Sequence, residues 1–294
     1  MTAVRVRVPA STANLGSGFD TMGMALALYD VVEAEIVDDG LAVDIVDTGA
    51  GGVDALPRDE SHLVVRAVRH TADRIGLKIP GLRLTCANAI PHARGLGSSA
   101  AAVVAGAAAA YGLAGRPLDR DAVLQLAAGF EGHADNAGAS LLGGVVITWM
   151  EGARWQAARL EPHPQVRPVI AIAEEKSSTA ATRGLLPETV PHADAAHAAA
   201  RAALGVHALT TDPSLLLPGT EDRLHQQYRA PAYPRTAALV QRLRERGVAA
   251  AVSGAGPSVL ALTSDGRLPD DVDTEGFRIK ELPVDMGGVT VAAA

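Results

Sequence analysis

The chain has 294 residues, 48% of them hydrophobic and 20% charged, which is a globular composition with room for one large domain or two ordinary ones and excludes wholesale disorder. Lys and Arg (26) against Asp and Glu (33) leave a net charge of −7 with no basic run, which argues against nucleic acid as a partner. The single cysteine, Cys86, can build neither an internal disulfide nor a structural zinc cluster, as fits a reducing compartment.

In chain order, Val4, Val6 and Val8 alternate with Arg5 and Arg7, which predicts a half-buried strand ended by Pro9. The stretch STANLGSGFD (11–20) reads as a polar loop. Residues 22–37 are apolar and β-leaning, and Asp38, Asp39 and Gly40 turn the chain into a second alternating strand over 41–46. A loop over 49–59 precedes a helix over 61–75, marked by Leu63, Val64, Ala67, Val68, Ala72 and Ile75 and closed by Gly76. A strand over 82–90, a glycine-containing loop over 91–97 and an alanine-rich helix over 98–113 follow. A helix over 121–130 and a strand over 141–150 complete the first half. The three prolines within 161–168 predict a domain boundary there.

The second half starts with a strand over 166–173 and a short helix over 177–186. A long helical tract spans 192–209 and is interrupted at 213–218. Helices over 221–228 and 237–246 precede two strands, 248–252 and 259–262, that flank a glycine turn. His192, His197 and His207 do not stack on one helical face, so they read as surface or packing residues. The stretch 100–113, broken by Gly106 and Gly112, is too short and too weakly apolar to cross a bilayer, and the first ten residues lack a signal-peptide core. A cytoplasmic protein without a membrane partner is expected.

PHARGLGSSAAAV (91–103) carries the most chemistry. A helix start presents unpaired amides and a partial positive charge. Gly95 and Gly97 would let phosphate oxygens approach those amides, and Ser98 and Ser99 offer caps or ligands. The pattern fits an ordinary capped helix or a phosphate loop, and the two serines with a run of small residues favour the phosphate loop. It is not a Walker loop, because no lysine follows the last glycine, and it lacks the third glycine of a dinucleotide fingerprint. Glu131, His133, Asp135 and Asn136 lie within six residues and could bind a metal, whereas His133 taken alone reads as a structural histidine. Arg183 and Arg229, each taken alone, read as surface charges.

Together, four segments resemble the galactokinase–homoserine kinase–mevalonate kinase–phosphomevalonate kinase (GHMP) superfamily. They are PASTANLGSGFD (9–20), the loop at 91–103, EGHADNAGASLLGG (131–144) and SGAGPSVLAL (253–262). The first and third are similar to motifs of its homoserine kinase branch. The resemblance implies an α+β fold in two parts. A ribosomal-protein-like domain (1–165) with a left-handed β-α-β unit would be followed by a ferredoxin-like sandwich (166–294), with the active site in the cleft between them.

The resemblance also implies ATP held by Pro91, Arg94, Gly95, Leu96, Gly97, Ser98, Ser99, Ala100 and Ala101, with Mg²⁺ on Ser98 and Glu131. Asn14 and Asp20 would meet the substrate ammonium, Asn136 would face its hydroxyl, and His133 would be a further substrate-binding residue. Arg183 and Arg229, with Thr179 nearby, would hold its carboxylate. Asn136, Ser98 and Glu131 would act in catalysis, although Asn136 cannot take a proton. The implied reaction is ATP-dependent phosphorylation of L-homoserine to O-phospho-L-homoserine in threonine biosynthesis. Two alternatives are a sister kinase acting on another small alcohol such as mevalonate, and a nucleotide-binding regulator without turnover. The substrate is a small molecule, and a homodimer is compatible with the sequence.

Overall fold

The computed structural model of the chain describes residues 3–176 and 182–294. Strands β1 (Ala3–Asn14) and β2 (Gly18–Val37) form a long antiparallel pair. Val4, Val6 and Val8 are fully buried between exposed Arg5 and Arg7, as the alternation predicts. Pro9 does not end β1. A register shift between Pro9 and Ala10 absorbs the missing donor, and pairing resumes at Ala10 with Leu26. Ser11, Thr12 and Asn14 therefore sit on a buried strand end and not on a solvated loop.

Strand β3 (Gly40–Asp47) does not fold back on β2. Strand β4 (Gly81–Asn88) lies between them, antiparallel to β2 and parallel to β3. A parallel pair needs a crossover, and helix α1 (Leu63–Ile75) supplies it. Helix α2 (Ser98–Leu113) is buried along nearly its whole length and packs on α1. A Cβ on Gly106 would stand 2.6 Å from the Val64 carbonyl and 2.7 Å from Ala67 Cβ. This close approach explains the alanine-rich composition, because larger side chains would push the two helices apart.

Helix α3 (Arg120–Glu131) starts on Asp119, whose side chain accepts the Ala122 amide at 3.0 Å, and Gly132 closes it. A helix, α4 (Asp135–Leu142), takes the start of the strand expected over 141–150. Gly143 and Gly144, both at positive φ, stop the helix, and β5 (Val145–Glu151) follows. Strand β5 pairs with β2 at Met22–Met24 and with β6 (Arg154–Leu160).

The second sheet is antiparallel, in the order β10-β7-β9-β8. Its strands are β7 (Arg167–Ala173), β8 (Ala249–Val252), β9 (Val259–Thr263) and β10 (Phe277–Glu281). Helices α5 (His192–Thr210) and α6 (Pro234–Glu245) belong to this half. The helix expected over 221–228 shrinks to one turn, Gln226–Arg229. The Asp222 carboxylate accepts the amides of Leu224, His225 and Gln226, a local capping that competes with a longer helix. The expected helix over 177–186 is described only from Thr182 onward, and Thr179 lies outside the described residues. Strand β11 (Thr290–Ala293) returns to pair with β1, so the chain's end joins the first sheet. Among the described residues no helix is long and apolar enough to cross a membrane.

Candidate active site

A cleft of about 700 Å³ gathers the loop after β4, the starts of α2 and α4, the β1–β2 turn, Arg183, Arg229 and the 253–257 loop. The loop after β4 is anchored at its base. Asp30, 4% exposed, accepts the amides of Ala89 (2.7 Å) and Ile90 (2.9 Å) and Asn88 Nδ2 (3.1 Å). Burial raises its pKa to about 6 in spite of these donors.

Gly95 and Gly97 take the left-handed conformation, with φ of 73° and 67°. A Cβ on Gly97 would overlap Ser11 Oγ and stand 2.9 Å from Asn136 Oδ1. A Cβ on Gly95 would run into the Ser253 carbonyl and stand 3.0 Å from the Gly256 oxygen. The glycines are thus required by packing against β1 and the 253–257 loop, a different reason from the close phosphate approach expected of them. Helix α2 has no side-chain cap, and its first helical bond runs from the Ala101 amide to the Gly97 carbonyl at 2.9 Å. The amides of Ser98, Ser99 and Ala100 precede that bond, at the positive end of the helix dipole. The side chains of Ala100 and Ala101 are fully buried, so among the helix residues expected to hold ATP only Ser98 and Ser99 offer side chains to the cleft.

Arg94 is held within the protein. Its Nε donates to the Ala173 carbonyl (2.8 Å), and its two terminal nitrogens donate to those of His92 (3.2 Å) and Glu174 (3.0 Å). It staples the end of β7 to the loop. The two serines have different partners. Ser98 Oγ lies 2.6 Å from His92 Nδ1, whereas Ser99 Oγ donates to Glu131 Oε2 at 3.0 Å. The structure therefore brings Ser99, not Ser98, to Glu131. Burial, with Lys176 and Arg94 nearby, lowers the His92 pKa and favours a neutral ring that can accept the Ser98 proton.

At the start of α4, Asp135 Oδ1 accepts His133 Nδ1–H (2.7 Å) and the Asn136 amide (2.7 Å). Burial pushes the His133 pKa down, but the bond to Asp135 and the charges of Asp135, Asp20 and Glu131 outweigh it and raise the pKa overall. Ser11 Oγ donates to Asn136 Oδ1 at 3.0 Å. The Asn136 carbonyl oxygen is thereby engaged, and its NH₂ keeps donor capacity beside the helix start.

At the other end, Asn14 works inside the protein. Its Nδ2 donates to the Gly254 carbonyl (2.8 Å) and its Oδ1 accepts the Asp20 amide (3.0 Å). Asp20 and Arg183 form a two-pronged ion pair, both contacts at 2.9 Å. Asp20 thereby raises the Arg183 pKa. Arg229 is 1% exposed, and burial lowers its pKa. Its Nη1 donates to His225 Nδ1 (3.3 Å), which leaves His225 Nε2–H to donate to the Gly16 carbonyl (3.2 Å). Phe19 stacks on the same imidazole, with centroids 5.1 Å apart. His225, fully buried and distant in the chain, carries no motif that would have marked it, and neither does His92.

The residues at 62–144 match the model described as "GHMP kinases N terminal domain", and those at 195–273 match "GHMP kinases C terminal". The chain belongs to the GHMP kinases, and ATP is the phosphate donor in this family. Within it, the chain is 51% identical to the homoserine kinase of Streptomyces avermitilis over 98% of this chain and 95% of that one. It is 50% identical to the homoserine kinase of Rhodococcus erythropolis, covering 96% and 94%. The crystal structure of homoserine kinase from Cytophaga hutchinsonii shares the fold at a TM-score of 0.85 and 24% identity, covering 99% of this chain and 98% of that one.

Proposed function

We infer that the chain transfers the γ-phosphoryl group of ATP to the hydroxyl of L-homoserine, giving O-phospho-L-homoserine and ADP, a step of threonine biosynthesis. The observation that carries this reading is the joint content of one cleft. An uncapped helix start suited to phosphates stands at one end, and Asp20, Arg183 and Arg229, suited to the two charges of an amino acid, stand at the other. Mevalonate has no ammonium group to offer Asp20. On this reading the chain's partners are small molecules in the cytoplasm.

Phosphoryl transfer through a loose transition state asks mainly for alignment and charge stabilisation. The amides of Ser98, Ser99 and Ala100 would bind the phosphate oxygens. Ser99 Oγ and Glu131 would hold Mg²⁺. Two oxygen donors fit an ion that takes its remaining ligands from phosphates and water, and among the described residues no cluster of three or more His, Cys, Asp or Glu competes for it. The ion would offset charge on the phosphates. Asn136 Nδ2 would donate near the transferring group, and Asp20 and the arginines would hold the amino acid with its hydroxyl in line. Positioning of this kind supplies about 7–11 kcal/mol of barrier reduction, so a strong base is not required.

A coupled ADP-release assay over a panel of alcohols tests the assignment. Turnover is expected with L-homoserine and not with mevalonate. ATP binding without ADP release under every alcohol would identify a regulator instead.

A further inference from the structure

Two charges expected to grip opposite ends of the substrate grip each other. Arg183 Nη1 and Nη2 donate to the two Asp20 oxygens, each at 2.9 Å. Asp20 is the fixed partner. Its backbone has φ 55°, its amide is held by Asn14 Oδ1 at 3.0 Å, and the preceding Phe19 stacks on buried His225. Arg183 reaches it by the end of a long side chain. Arg229 differs from both. It is buried, its bonds run to the Thr182 carbonyl (3.4 Å) and to His225, and among the described residues no carboxylate lies within ion-pair distance of it. Its guanidinium carbon lies 5.5 Å from the centre of the Phe19 ring, and that of Arg183 lies 5.8 Å from it. All three charges therefore border one spot.

We propose that the Asp20–Arg183 pair is a specificity latch, which withholds Arg183 from a lone carboxylate and Asp20 from a lone ammonium and opens without an unpaired charge only to a ligand that carries both. The inference rests on the amino-acid kinase reading above. A monoanion finds Arg229 without a carboxylate partner and binds there with the latch shut, so it gains one guanidinium and not two. An amino alcohol reaches Asp20 only by stripping Arg183, which leaves two bare guanidiniums side by side. A zwitterion gives its carboxylate to Arg229 and Arg183 and its ammonium to Asp20, and every charge keeps a partner. Removing one member of a bonded pair leaves the other uncompensated, and that penalty rejects the wrong ligand.

Calorimetric binding of L-homoserine, 4-hydroxybutyrate and 3-aminopropan-1-ol, with a non-hydrolysable ATP analogue present, tests the latch without turnover. In the wild-type chain the order of affinity is L-homoserine, then 4-hydroxybutyrate, then 3-aminopropan-1-ol. Asp20→Asn should weaken L-homoserine about tenfold or more and tighten 4-hydroxybutyrate about fivefold, because Arg183 is released to the carboxylate. Arg183→Ala should tighten 3-aminopropan-1-ol by exposing Asp20. Retained binding of the ATP analogue identifies folded variants, and Asp20→Ser, read the same way, replaces Asp20→Asn if that variant fails to fold. If 4-hydroxybutyrate is unchanged or weaker in the Asp20 variant, or 3-aminopropan-1-ol is unchanged in Arg183→Ala, the latch is refuted. Absence of L-homoserine turnover in the wild-type chain would refute the kinase reading separately, since the binding panel stands without it.

Discussion

Gly97→Ala separates two reasons for a glycine in the phosphate loop. The residue has φ 67°, where an L side chain costs about 1–2 kcal/mol. The new methyl would overlap Ser11 Oγ, stand 2.9 Å from Asn136 Oδ1 and lie 3.3 Å from Ser11 Cβ. Ser11 must turn away, and its 3.0 Å bond to Asn136 goes with it, for about 1 kcal/mol more. The sum is about 2–3 kcal/mol, which lowers the melting temperature of a chain this size by roughly 4–12 °C. The freed Asn136 carboxamide should cost kcat a factor on the order of 10², the usual penalty for a small misplacement at a reacting centre. The decisive comparison repeats the substitution in a Ser11→Ala background. There the overlapping oxygen is gone, the nearest Ser11 atom is Cβ, and Asn136 can give way. Gly97→Ala should then cost only the backbone strain, a coupling of about 1 kcal/mol between the two sites. Thermal unfolding of the four proteins measures it. Equal cost in both backgrounds would refute the steric argument, and a loss confined to ATP affinity would restore phosphate approach as the reason for the glycine.

Arg94→Ala removes three bonds to main-chain carbonyls and should cost about 2–3 kcal/mol of stability. Because β7 leads towards Arg183, KM should rise for homoserine as well as for ATP, and a rise for ATP alone would show that Arg94 serves the nucleotide directly. Ser99→Ala should lower kcat roughly 10–100-fold and raise the Mg²⁺ concentration needed for half-maximal rate, while Ser98→Ala does so less. The reverse ranking in a Mg²⁺ titration would return the metal to Ser98. Burial, with the Arg229 charge, outweighs the opposing charge of Asp222 and lowers the His225 pKa, which favours a neutral ring. An unfolded histidine takes a proton near pH 6.5, so the stability His225 contributes is present above that pH and is lost as pH falls below it, by up to about 1.4 kcal/mol per unit. His225→Gln should flatten the decline of melting temperature between about pH 6.5 and pH 5, and parallel curves for the two proteins would rule this out.

Much of the site was legible because its parts are local in the chain. Residues 81–99 carry their own strand, glycines and helix start, and the alternation of Val4, Val6 and Val8 fixes a face of β1. What the sequence hides is decided by distant partners. Pro9 reads as a stop, but the neighbouring β2 accommodates it through a register shift. Asp38, Asp39 and Gly40 read as a turn into a neighbouring strand, yet β4, from forty residues on, takes the place beside β2. Ser98 and Ser99 are indistinguishable as letters. Their roles separate only when the helix start aims one at His92 and the other at Glu131, 32 residues away. His225 escapes for the same reason, since its meaning comes from Phe19, Gly16 and Arg229 together.

The contacts that hide from the sequence also tie the two ends of the cleft into one unit. The Gly95 carbonyl accepts Ser253 Oγ at 2.6 Å, and the same hydroxyl bonds Thr12 at 2.8 Å. Asn14 then links the 253–257 loop to the Asp20 amide. A shift in the loop at 91–97 would therefore pass through Ser253 and Asn14 to the Asp20 carboxylate, and Arg94 offers a second route through β7. Thr12, Asn14 and Ser253, the middle of the first route, are buried, and no water layer separates these hydrogen-bonded partners to absorb the motion. The arrangement suits a reaction that relies on alignment: on the proposed reading Asn136 supplies no base, the relative position of the two substrates becomes the main quantity the protein controls, and these bonds would fix it.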